Sequence, residues 1–270
     1  MKLTLLTLIA SSAFCSAPAL SLAEPWMPPE EIGDVRQETV LLGDMLVEKS
    51  AIENFTPDEI STRGALYLNA QLWEDGVLPI DFPKDTTQKQ KDLFMSACGE
   101  WEKVANVRCI EGRYKGRKLT LTTYRVGCFA LYGMGSNFLT LKRLMNLETK
   151  GCWHRATIIH EIGHALGLIH EHQRPDRDLY VSIQSGNTDK GFLGLNLKFN
   201  FGKLDSRPLT PYDFLSIMHY GRDEFSKNGK DTIVPRPEYM DYIDDMGKAK
   251  APSAADAITL STLYGPPVVN

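Results

Sequence analysis

The run His160-Glu161-Ile162-Gly163-His164-Ala165-Leu166-Gly167-Leu168-Ile169-His170 constrains this chain more than any other feature. His160 and His164 are four residues apart, so a helix places both imidazoles on one face, one turn apart. Ile158, Ile159, Ile162, Ala165 and Leu166 give a helix over 156–166 its buried side. Gly167 can take a positive φ, end that helix and turn the chain back. The turn brings His170 to the other two. Three neutral imidazole nitrogens suit zinc and leave one position for water. Glu161 flanks this set rather than joining it. From there it can take a proton from water acidified by zinc and pass it to a leaving amine. The reaction expected of such a set is hydrolysis of an amide bond. A two-histidine pattern with an intervening Glu recurs by chance; Gly167 and His170 at fixed spacing separate this one from coincidence. His154, His172 and His219 fall outside the ligand spacing and are assigned structural roles.

The chain is not uniform along its 270 residues. Lys2, the apolar run from Leu3 to Cys15 and the small residues around Ser21-Leu22-Ala23 form the pattern of a secretory signal over residues 1–23. Residues 24–63 then carry ten acids against three bases, a net −7, with four prolines and little periodic apolar pattern. Such a segment buries little core of its own. From residue 64 to 270 the balance is 26 bases to 24 acids, so the composition marks a boundary near Arg63. The formal charge of −4 gives no reason to expect a nucleic-acid partner. Beyond the leader no apolar run is long enough to span a bilayer, so no membrane anchor is expected. Removing the leader takes Cys15 with it and leaves Cys98, Cys109, Cys128 and Cys152. That even number in an oxidising compartment permits three pairings.

From residue 64 onward the pattern is α+β. Val77 to Phe82 predicts a strand. Leu93, Phe94, Ala97, Trp101 and Val104 predict a helix over 85–104, capped at Asp85 or at one of the two threonines after it. Residues 119–124 and 138–141 predict strands.

The extended histidine run is that of the metzincin zinc peptidases. These also carry a methionine turn under the metal, and Met218 in Ser216-Ile217-Met218-His219-Tyr220 stands 48 residues beyond His170. Glu171 after the third histidine and Tyr220 two residues after Met218 resemble the astacin family of secreted zinc endopeptidases. Leu72-Trp73, Gly76 to Ile80, the run His170 to Asp178, Tyr212-Asp213-Phe214, Thr232 to Pro235 and Leu263-Tyr264 extend the resemblance over nearly all of 64–270. It implies a zincin-like catalytic domain of two subdomains around a cleft. The first has a twisted sheet and the zinc-binding active-site helix, and the second is largely irregular.

The same resemblance implies roles for single residues. His160, His164 and His170 hold one zinc ion per catalytic domain, with Tyr220 as a further ligand that stabilises the transition state. Glu161 is the general base. Leu41-Leu42-Gly43-Asp44 matches the family's latency switch, with Asp44 in the water position. Residues 24–63 are then an inhibitory propeptide, cut near Arg63 by an activating protease. The new amino terminus would turn inward to Glu171. Cys128 pairs with Cys152 by the family pattern. The family's other bridge ends on a cysteine that this chain replaces with Pro266 or Pro267, which leaves Cys98 for Cys109. Phe138 to Leu141 resembles the edge strand that pairs with substrate, and Arg236 stands where some relatives select acidic residues. The expected protein is a secreted monomer that acts on protein or peptide substrates. The rival is a secreted binding protein on an inactive scaffold of the same kind.

Overall fold

The computed structural model describes residues 39–42, 44–48, 71–124, 127–135, 143–189, 197 and 200–268. The leader, the junction at Arg63 and the strand expected at 138–141 lie outside these residues. Among the described residues seven strands form one mixed sheet: β1 (Thr39–Leu42), β2 (Met45–Glu48), β3 (Val77–Asp81), β4 (Arg108–Glu111), β5 (Leu119–Thr122), β6 (Cys128–Leu131) and β7 (Arg143–Leu147). Their order is β1-β2-β6-β7-β5-β3-β4. The central strands follow from their side chains. Leu119 and Leu121 are buried while Thr120 and Thr122 are half-buried, the alternation of a strand with one face on the core. Pro79 is tolerated inside β3 because β5 pairs with β3 only from Ile80 onward, so no rung is lost on that side.

Two helices pack together over the sheet. In α1 (Gln88–Glu102) the buried residues Phe94, Ala97, Cys98 and Trp101 recur at three- and four-residue steps. The helix starts three residues later than the sequence suggests, because Thr87 and not Asp85 closes a capping box with Gln90. Trp101 lies fully buried against α2 (Arg155–Ala165) and its Nε1 donates to the Ile159 carbonyl at 2.9 Å. Burying one such large side chain is worth about 1.5–3 kcal/mol. Two disulfides tie this half together. Cys98 of α1 is joined to Cys109 of β4, and Cys128 of β6 to Cys152 just ahead of α2.

The C-terminal half has little regular structure. Its described strands are the ribbon β8 (Val181–Ile183) and β9 (Ile233–Pro235), and α3 (Ala254–Tyr264) follows near the end. A second apolar cluster of Val181, Phe201, Tyr212, Phe214, Tyr220, Ile233 and Met246 holds this half. The α+β arrangement with an irregular second half is therefore the one expected. The two halves meet at the end of α2.

One carboxylate joins α3 to that meeting point. Asp256 caps its own helix through a box with Ser253. It also accepts from Ser216 Oγ at 2.6 Å and from the Ile217 amide at 2.9 Å. Ser216 Oγ in turn accepts from the Met218 amide. Replacing Asp256 with Ala should therefore leave several buried donors unpaired and lower unfolding stability by roughly 2–3 kcal/mol. Urea denaturation checks this, and a change under about 0.5 kcal/mol, the range of neutral surface substitutions, would show that the carboxylate anchors nothing.

Candidate metal centre

The end of α2 explains the local geometry. Gly167 has φ +99°, its amide donates to the His164 carbonyl and the Leu168 amide donates to the Gly163 carbonyl, both at 2.9 Å. This is a Schellman motif, which ends the helix and satisfies its last carbonyls. Two more of those carbonyls find side chains. Trp73 Nε1 donates to Ala165 O at 2.8 Å and Tyr264 OH to Leu166 O at 3.0 Å. The chain then doubles back and carries His170 to the face already occupied by His160 and His164.

The three Nε2 atoms converge. That of His164 lies 3.1 Å from those of both His160 and His170. Each Nδ1 has an acceptor: the Ile217 carbonyl for His160 at 2.7 Å, the Leu168 carbonyl for His164 at 2.8 Å and Gln173 Oε1 for His170 at 2.7 Å. With the proton on Nδ1, each ring turns the lone pair of Nε2 toward the common centre. Burial, with His170 beside it, holds the His164 imidazole down to about 3, so it is neutral. Three lone pairs this close repel one another unless a cation lies among them. The donor set thus fits zinc, and its outer hydrogen bonds are already made.

Asp44 enters the same centre from the N-terminal segment. Its Oδ1 lies 2.6 Å from His170 Nε2 and 3.3 Å from His164 Nε2, and its Oδ2 lies 3.2 Å from His160 Nε2. These four residues form a group able to hold one metal ion. Tyr220 OH donates to Asp44 Oδ1 at 3.3 Å, and its ring packs 4.3 Å from that of His170. Glu161 is buried to 1% exposure, and its Oε2 has no hydrogen-bond partner. Burial, reinforced by the charge of Asp44, pushes its carboxyl well above the usual range.

Met218 lies under the helix. A Cβ added at Gly163 would stand 2.6 Å from Met218 Sδ and 3.1 Å from Trp101 Cζ2, so the thioether presses on the backbone between the first two histidines. Glu171 turns away from the histidine cluster. Its Oε1 accepts from the Asp213 amide at 2.9 Å and pairs with the Arg174 guanidinium. Burial outweighs Arg174 and pushes its carboxyl up to about 7. It lines a cavity with Arg174, Ser206, Met218, Asp256 and Thr259, in which Ser206 Oγ is buried without a partner. Arg236 is exposed, and its Nε donates to the Asp178 carbonyl at 3.0 Å; no described contact joins it to the histidines. His172 and His219 are held by the Asn200 carbonyl and by Tyr212 OH with the Tyr220 carbonyl.

Sequence reasoning missed two contributors. Asp256 holds the turn that carries Met218, and the spacing Ser253-x-x-Asp256 of a capping box was its only local signal. The strand whose outer edge takes Met45–Glu48 is β6. It pairs in parallel, with the Ala130 amide donating to Asp44 O at 3.0 Å and the Tyr132 amide to Leu46 O at 2.9 Å.

Fold and site are of the metzincin class, an α+β fold with three convergent histidines. The family described as Astacin, a peptidase family, matches residues 65–265. The chain belongs to that family. It is 30% identical over 199 residues to zinc metalloproteinase nas-15 of Caenorhabditis elegans, covering 73% of this chain and 33% of that protein. It is 29% identical over 253 residues to the dorsal-ventral patterning protein tolloid of Drosophila melanogaster, covering 91% of this chain and 22% of that one. The chain therefore spans no more than a third of the length of these two relatives. The solved structure of high choriolytic enzyme 1, a hatching enzyme zinc-protease of Oryzias latipes, superposes with a TM-score of 0.62. Its identity is 28%, over 72% of this chain and 92% of that one.

The close approach at Gly163 yields a test. Gly163→Ala should displace Met218 and cost about 1–3 kcal/mol of stability by overpacking. A thermal midpoint within about 1 °C of the parent, measured with zinc present, would mean the thioether does not press on the helix.

Proposed function

We propose that this chain is a secreted endopeptidase made as a zymogen, with residues 1–23 as leader, 24–63 as inhibitory propeptide and 64–270 as catalytic domain. The observation that carries the reading is the convergence of three Nε2 lone pairs on a point already met by the Asp44 carboxylate. His160, His164 and His170 would hold the zinc, with Tyr220 beside them as a further ligand. Bound zinc would acidify a water molecule and polarise the scissile carbonyl. Glu161 is the general base: its unpartnered Oε2 is free to take the proton and return it to the leaving amine. Asp44 Oδ1 marks where an oxygen of the reacting group would stand. The hydroxyl of Tyr220 already donates to it, as an oxyanion-stabilising group should.

Latency follows from the same contacts. A carboxylate in the water position blocks the nucleophile, and β2 holds it there by pairing with β6. Cleavage near Arg63 would free a new amino terminus. The cavity in front of Glu171, with its buried carboxylates and the unpartnered Ser206 hydroxyl, would receive that ammonium. Substrates are proteins or peptides. Among the described residues no helix is long and apolar enough to cross a membrane. Arg236 would select acidic residues beside the scissile bond, and the enzyme would act as a monomer.

Two measurements test the roles. Glu161→Gln should keep about one zinc per chain by elemental analysis and lose at least about a hundredfold in kcat on casein. Retained cleavage would remove Glu161 from the mechanism and leave the metal reading intact. Asp44→Ala should make the unprocessed chain active. If the unprocessed variant stays as silent as its parent while the processed form cleaves casein, Asp44 is not the latch.

A further inference from the structure

Leu42, Met45 and Val47 of the N-terminal segment pack in one cluster with Tyr132, and Ile169 and Leu204 close around it. Met45 is fully buried, and Val47 and Leu42 are only 3% and 5% exposed. Met45 directly follows Asp44, whose carboxylate stands among the three Nε2 atoms, so this pocket adjoins the reacting position. Its walls belong to the catalytic domain. Tyr132 follows β6, and Ile169 precedes His170. The Leu204 amide donates at 2.7 Å to the carbonyl of Gln173, the residue whose side chain orients His170.

The backbone beside the pocket is held without regard to side chains. Ala130 and Tyr132 donate to the carbonyls of Asp44 and Leu46, and Met45 lies opposite Ala130 in the register. Main-chain pairing of this kind accepts any extended segment, so selectivity has to arise where side chains are buried. When the N-terminal segment leaves, Tyr132, Ile169 and Leu204 face water. An aliphatic side chain that refills the space removes that surface from water. A carboxylate or ammonium placed where Met45 is enclosed would lose its hydration.

We propose that in the processed enzyme the pocket of Tyr132, Ile169 and Leu204 is a selectivity subsite that takes Met or Leu from the substrate residue opposite Ala130. The proposal rests on the peptidase reading above and is tested in two independent ways. The first is a cleavage profile of the processed enzyme on an unbiased peptide library, with casein as a control for activity. Met and Leu at one position next to the scissile bond should exceed Asp, Lys and Gly by about tenfold or more in kcat/KM. Leu204→Lys should abolish that preference and enrich Asp and Glu. The second readout needs no catalysis. A synthetic peptide of residues 39–48 should bind the zinc-loaded processed chain about tenfold or more tighter than the same peptide carrying Met45→Asp.

A flat profile from an enzyme that still cleaves casein overturns the subsite, as does binding of the two peptides within twofold of each other. Loss of casein cleavage with the tenfold peptide difference intact sinks the peptidase reading and leaves the pocket as an apolar docking site.

Discussion

The orientation of three imidazoles depends on what their other nitrogens bind, and the rest of this structure is arranged around that requirement. Each Nδ1 meets an oxygen that comes from a different place: the Met218 turn, the chain just past Gly167, and Gln173. If one of these acceptors moved, the ring would be free to turn its lone pair away from the centre. The Schellman end of α2 supplies one acceptor and the doubling-back that brings His170 in. Asp256 on α3 fixes Ser216 and Ile217, and so fixes the carbonyl that orients His160. The irregular C-terminal half is thus held by hydrogen bonds that also set the site.

The proposed latency rests on the same centre, which the Asp44 carboxylate meets beside all three histidines. A carboxylate is an acceptable zinc ligand and occupies the space a water needs. Asp44 is aimed by the sheet itself, since β2 continues the sheet beyond β6 and its carbonyls are bonded on either side of Met45. The apolar side chains on either side of Asp44 are buried against Tyr132, Ile169 and Leu204. In the proposed reading, latency and substrate recognition draw on one surface.

Membership of the astacin family is carried by the match over residues 65–265, and the histidine geometry agrees with it. The chain departs from the family pattern in its cysteines. By the resemblance read from the sequence, Pro266 or Pro267 stands where the family closes a long-range bridge, and here Cys98 and Cys109 close a shorter one between α1 and β4. The C-terminal helix is held by Asp256 on the Met218 turn and by Tyr264 OH on Leu166 O.

Local spacing made the metal set legible in the sequence. Four residues per helical step, a glycine able to adopt φ +99° and a third histidine three residues later are short-range facts that physics reads without a fold. The buried face of α1 and the alternation in β5 were legible for the same reason, since periods of 3.6 and 2 are written in neighbouring residues. Its starting residue was not, because three candidate caps stood side by side and only the partner Gln90 chose Thr87. Three features needed the tertiary structure: the hold of Asp256 on the Met218 turn some 40 residues away, the choice of β6 as the strand that receives Met45–Glu48, and the pocket around Met45. Each joins residues far apart in the chain, and no local pattern encodes which distant backbone amide a carboxylate or a strand edge will meet.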